Sequence, residues 1–213
     1  MSTEPGRARG AELSATDDAA LDPRARAVLD CWFGTPDSPE FNTDRALWFK
    51  RDERFDAMLG SRFGALIDAG IAGVLDAWQA TPLGALALVV VLDQFSRNCY
   101  RNTARAFAGD PAALEIAQRM VASGADRALP TDYHRAFAYL PFEHDESRAS
   151  QQESLRLYRQ LQTQPMAAEY YRSAERHAQI IERFDRYPHR NAVLGRVSTD
   201  DEIEFLSKPG SSF

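Results

Sequence analysis

Apolar residues along this chain recur at steps of three and four, which is the period of a helix rather than of a strand. Phe55, Met58, Leu59, Phe63, Leu66 and Ile67 share one face of a segment that Asp52 can cap. Tyr170, Ala174, His177, Ile181 and Phe184 make a similar stripe over residues 166–184. Pro23 stands in a first-turn position before the helix formers of 25–33, and Gly34 stops them. Thr43 and Asp44 can cap a segment holding Trp48 and Phe49, and Thr81-Pro82 opens another. Asp110-Pro111 caps a helix over 112–122 that ends at Gly124. Pro130-Thr131 starts a short helix that Pro141 is expected to stop. Ser147–Gln162 is amphipathic, and Ser198 or Thr199, with Asp201 or Glu202 three residues on, reads as the capping box of a last helix through Leu206.

Ala85–Leu92 is apolar throughout, and Val89, Val90 and Val91 favour a strand by propensity. No second strand-like run exists to pair with it, so it is read as a helix apolar on all sides and therefore buried. The sum is eight or nine helices with short connections. That predicts an all-α fold packed as antiparallel hairpins, with one domain over 23–213 behind a mobile tail at 1–22. No fixed internal period is present, and the tetratricopeptide consensus is not legible. Trp32, Phe33, Trp48, Phe49 and Trp78 are assigned to the core.

Composition narrows the function classes. Of 213 residues, 44% are hydrophobic and 26% charged, the balance of a globular protein with a sizeable core. A net charge of −6 argues against nucleic acid as a partner. Cys31 and Cys99 are too few for a disulfide framework or a thiolate zinc site. The longest apolar run is far shorter than a membrane span needs, and residues 1–23 lack the apolar core of a secretion signal. The expectation is a cytoplasmic protein with no membrane partner.

Three polar segments do not resemble surface filler. The first is Leu92–Arg101, where Asp93, Gln94, Arg97, Asn98 and Arg101 follow directly on the buried helix. The second is Arg183–Arg196, which carries His189, Arg190 and Asn191 and holds four arginines against the single acid Asp185. Arginine forks recognise carboxylate and phosphate bidentately, so these segments predict an anion site if they converge. Otherwise they pair with the acidic stretch Glu143, Asp145, Glu146 and Glu153 as a structural network. The third segment is Tyr139–Glu146, in which Glu143 and His144 place a carboxylate beside an imidazole, a pairing suited to acid–base work. His177, on the apolar stripe of its helix, is either a third acid–base group or a hydrogen-bonded core residue. His134 is read as structural. No phosphate-cradling glycine loop, nucleophile elbow or His-Glu-x-x-His spacing is present, so neither cofactor nor metal is expected. Glu143, His144, His177 and His189 are the one conceivable metal set.

The stretches Val28–Gly34, Leu92–Arg101, Ala106–Asp110, Tyr139–Glu146 and Arg183–Phe213, the last with Tyr-Pro-His-Arg-Asn and Pro-Gly-Ser-Ser-Phe, are together distinctive. Over about residues 24–213 the chain resembles the bacterial domain of unknown function numbered nine-two-four. The resemblance implies an all-helical, tetratricopeptide-like fold and no particular activity. Asp185 stands where many relatives are expected to carry Gly, which adds an acid beside the basic loop.

Two functions follow, and the sequence does not decide whether the protein is an enzyme. One is a binding or scaffold module that takes a protein or peptide partner in a groove, for which an exposed aromatic stripe would speak. The other is an enzyme or sensor for a small anionic ligand. There Arg97, Arg101 and Arg190 hold the anion, Glu143 and His144 act as acid and base, and Asn98 or Asn191 orients the ligand. The second requires Leu92–Arg101, Glu143–His144 and His189–Asn191 to meet.

Overall fold

The computed structural model describes residues 21–161 and 166–211. The tail expected at 1–22 therefore lies outside the described residues except for its last two, and so does Gln162. Those last two belong to the folded unit. Leu21 is buried, and the Asp22 carboxylate accepts from the Arg24 backbone N–H at 2.8 Å. It caps helix α1, Pro23–Phe33, with the proline in the first turn.

Helix α2, Glu53–Ile71, starts on Asp52, whose carboxylate accepts from the N–H groups of Arg54 and Phe55. Thr81 caps α3, Pro82–Val89. The apolar run then passes without a break through a π-helical segment, Val90–Phe95, into the single turn α4, Ser96–Cys99. The remaining helices are α5 (Asp110–Ser123), α6 (Asp132–His144), α7 (Arg148–Tyr158), α8 (Ala167–Phe184) and α9 (Asp200–Leu206). At α9 both halves of the Thr199–Glu202 capping box form. There is no strand among the described residues, so the fold is all-α.

Every residue from Ala85 to Phe95 is buried, and this helix runs through the middle of the molecule. Trp32 of α1 meets it, with its ring edge-on to Phe95 and to Phe137 of α6, each at 5.6 Å. A smaller apolar cluster of Ile180, Ile181 and Tyr187, joined by Phe184 and Phe205, ties the C-terminal segment to α8.

Three local readings are corrected. The segment begun by Thr43 and Asp44 makes only a 3-10 turn, Ala46–Trp48. Arg45 instead turns back to donate to the carbonyls of Cys31 and Trp32, which the end of α1 leaves without helical partners. Phe49, at the end of that turn, is not core but 66% exposed. Pro141 does not stop α6, which continues one turn to His144 with the proline inside it. Packing on the central helix outweighs the one backbone donor lost, and the extra turn carries Glu143 and His144 inward. No described helix is long and apolar enough to cross a membrane.

Candidate functional site

Asp93 lies within the π segment and is 1% exposed. A π turn widens the helix locally, and such turns are frequent at functional sites. The widened turn is met by the loop before α5. A Cβ on Gly109 would stand 2.5 Å from the Leu92 carbonyl oxygen, so only glycine lets that loop approach so closely. The next residue, Asp110, is thereby delivered to Arg97. Arg97 donates Nη1 to Asp93 Oδ1 at 2.8 Å and to Asp110 Oδ1 at 2.9 Å, and Nη2 to Asp110 Oδ2 at 3.0 Å. It bridges two carboxylates, one of them bidentately. Gln94 Nε2 donates to the second oxygen of Asp93 at 2.5 Å.

His144, at the end of α6, sets its Nδ1 2.6 Å from Asp93 Oδ1. Burial, then the Arg97 charge, pushes the imidazole below its ordinary value, although Asp93 pulls the other way. The ring is therefore neutral, and the carboxylate fixes the proton on Nδ1, leaving Nε2 as the acceptor. Nε2 has no hydrogen-bond partner among the described residues, and the side chain keeps 14% exposure. Burial on its own would raise the Asp93 carboxyl. The Arg97 charge and then His144 override it and hold Asp93 well below the carboxylate range.

Arg190 closes the cluster from the 3-10 turn Pro188–Arg190. It is 7% exposed, yet among the described residues its one ion-pair contact is a long 3.5 Å from Nη1 to Asp110 Oδ2, and its Nε has no partner. The guanidinium stacks 4.7 Å from the Phe107 ring centre and 4.5 Å from that of Tyr187. Burial and then the Arg97 charge lower its pKa. Beside it, burial and the Arg190 charge push His189 down to about 4.

The three segments thus meet through Asp110, which lies outside them, in an unbroken series of contacts, His144–Asp93–Arg97–Asp110–Arg190. Other candidates go elsewhere. Asn98 and Arg101 both donate to Asp56 of α2, on a different partner from Arg97 despite the four-residue spacing. Asn191 donates to Ser198 and to Glu202, which also receives Arg186. Glu143 and His144 share no hydrogen bond among the described residues and have different partners. Glu143, 2% exposed, takes the Ser173 hydroxyl at 2.9 Å and lies 2.9 Å from His177 Nδ1. The rings of His144 and His177 are 6.2 Å apart.

Of the acidic stretch, Glu146 does pair with a basic residue, at 2.6 Å from Arg196, and it also accepts the Tyr187 N–H. Glu153 pairs with Arg156 on its own helix, and Asp145 accepts from Ser147. Among the described residues no group of three or more His, Cys, Asp or Glu side chains is placed to hold a metal.

Local pattern gave no notice of Asp110, Phe107, Gln151 or Tyr187. Asp110 read as a cap, but its carboxylate makes no cap bond because both its oxygens face Arg97. Gln151 binds the carbonyls of Glu143 and Asp145 and the Tyr187 hydroxyl, securing the last turn of α6. Two surface clefts, of about 350 and 420 Å³, lie elsewhere; neither is lined by Asp93, His144 or Arg190.

Comparison with known proteins agrees with the fold. No curated protein matches the chain. A solved structure of a protein of unknown function, ATU0120 from Agrobacterium tumefaciens, is 38% identical, with a TM-score of 0.74, over 86% of this chain and 96% of that one. The family model described as "Bacterial protein of unknown function (DUF924)" matches residues 28–210, and the chain belongs to that family.

Proposed function

We propose that the protein binds a small anionic ligand at the His144–Asp93–Arg97–Asp110–Arg190 cluster. The observation that carries this is Arg190. A guanidinium that is 7% exposed and that has, among the described residues, one 3.5 Å ion-pair contact and no partner for Nε is desolvated without the bonds that normally offset the cost. An anion supplies them. The scaffold reading draws less support, because Phe49 is the one aromatic among the exposed large apolar side chains of the described residues.

A second reading, acid–base chemistry on the bound anion, is favoured by the Asp93–His144 pair. The carboxylate anchors Nδ1 and leaves Nε2 unbonded, the arrangement a proton acceptor needs.

The test is a thermal-shift panel of carboxylates, phosphate and phosphorylated metabolites on the wild-type protein and on Arg190→Met. A ligand at a hundred times its Kd adds about 2.7 kcal/mol, a rise of a few degrees. A selective rise in the wild type that is absent from the variant is the expected result. No rise with any compound, or an equal rise in both proteins, overturns the proposal.

A further inference from the structure

Resting on that reading, we infer that the ligand is a small monocarboxylate, and that it binds by taking the place of the Asp110 side chain on Arg97 and Arg190. Asp110 already occupies the position an anion would take. Its two oxygens accept a bidentate pair from Arg97 at 2.9 and 3.0 Å, and Arg190 lies 3.5 Å from one of them. The geometry in place is therefore that of two guanidinium groups around a planar carboxylate.

Charge selects the class. With His144 neutral, Asp93 and Asp110 balance Arg97 and Arg190. Exchanging one carboxylate for another keeps that balance, whereas a phosphate dianion adds a negative charge beside Asp93. Access selects Asp110 as the group that moves. It is 19% exposed while Asp93 is 1% exposed, and its backbone precedes Pro111 at the very start of α5, so its side chain can turn out to solvent without breaking a helical bond. Exposed there, the carboxylate still faces the positive end of the α5 dipole. Arg190, weakly held by Asp110, gains most from the exchange.

The experiment measures Kd for propionate and for inorganic phosphate, at constant ionic strength, on the wild type, Asp110→Asn, Asp110→Ser and Arg190→Met. The expected result is propionate binding to the wild type, about tenfold or more tighter binding to both Asp110 variants, and loss in Arg190→Met. Serine is tolerated at a helix start, so it reports if the asparagine variant does not fold. Propionate binding that weakens or stays unchanged in the Asp110 variants overturns the exchange but leaves the anion site standing. Binding of phosphate in preference to propionate overturns the monocarboxylate class. Binding of neither anion to the wild type overturns this inference, and with the failed thermal-shift panel it overturns the anion site as well.

Discussion

His144 Nδ1 and Asp93 Oδ1 lie 2.6 Å apart across fifty-one residues of sequence, joining the end of α6 to the π segment of the central helix. Asp93→Asn keeps the shape but replaces one of two acceptor oxygens with an N–H donor, set against either Gln94 Nε2 or the His144 and Arg97 donors. It also leaves Arg97 one carboxylate short. The expected cost is about 3 kcal/mol or more, read as a lower urea midpoint at unchanged slope. A loss under about 1 kcal/mol would show that Asp93 is not a buried anchor for His144 and Arg97.

The two arginines should part company. Arg97→Ala takes the cationic partner from Asp93 and leaves Asp110 only its 3.5 Å contact with Arg190, and should cost about 3–5 kcal/mol. Arg190→Met replaces a poorly paired buried charge with an apolar chain of similar length between Phe107 and Tyr187, so stability should hold or rise. Equal losses in the two variants, by denaturant melts, would place both residues in one structural network.

Stability should fall on mild acidification. Burial pushes His134 down to about 3 and His189 down to about 4, from an ordinary 6.5. The unfolded chain therefore takes up protons below pH 6.5 that the folded chain refuses. Stability is full above that value and is lost as pH falls towards 4 and 3. One such histidine costs about 2 kcal/mol between neutral pH and pH 5. Asp93, also held low, extends the loss below the ordinary carboxylate range. His134→Phe keeps a ring stacked on Phe33, 4.0 Å away, and should flatten the slope between pH 6.5 and 5. An unchanged slope in this variant would assign the dependence to other groups.

Gly109→Ala should be among the costlier small substitutions. Its Cβ would meet the Leu92 backbone at 2.5 Å, and backbone cannot move aside as a side-chain tip can. About 1–3 kcal/mol is expected from overpacking, together with a looser Asp110–Arg97 contact. Gly70→Ala, whose neighbours at 3.1 and 3.2 Å are the side-chain ends of Leu92 and Leu88, should cost less. The comparison is a pair of thermal melts, and equal losses would contradict the close approach.

The helices were legible because their signals are local. Pro23, Asp52, Thr81 and the Thr199–Glu202 box each mark a boundary within a few residues of themselves. The site was legible only as segments. Which arginine meets which carboxylate depends on tertiary placement, so Arg97 and Arg101, one turn apart, end on Asp110 and Asp56. Adjacent Glu143 and His144 diverge for the same reason: on a helix, neighbours in sequence point about 100° apart. The π segment left no mark in the apolar run, because the run is apolar on every side and has no phase to break. Pro141 misled because a proline inside a helix is judged by its lost bond, while here the surrounding packing decides.

The most direct test of the site is nitrogen-resolved NMR of the His144 ring during titration with propionate and phosphate. Near neutral pH the ring should carry its proton on Nδ1. One of the two anions should shift the Nε2 resonance to saturation, with no such shift in Arg190→Met. An Nε2 resonance that stays fixed throughout both titrations, or that moves equally in the variant, would contradict an anion site built on His144 and Arg190.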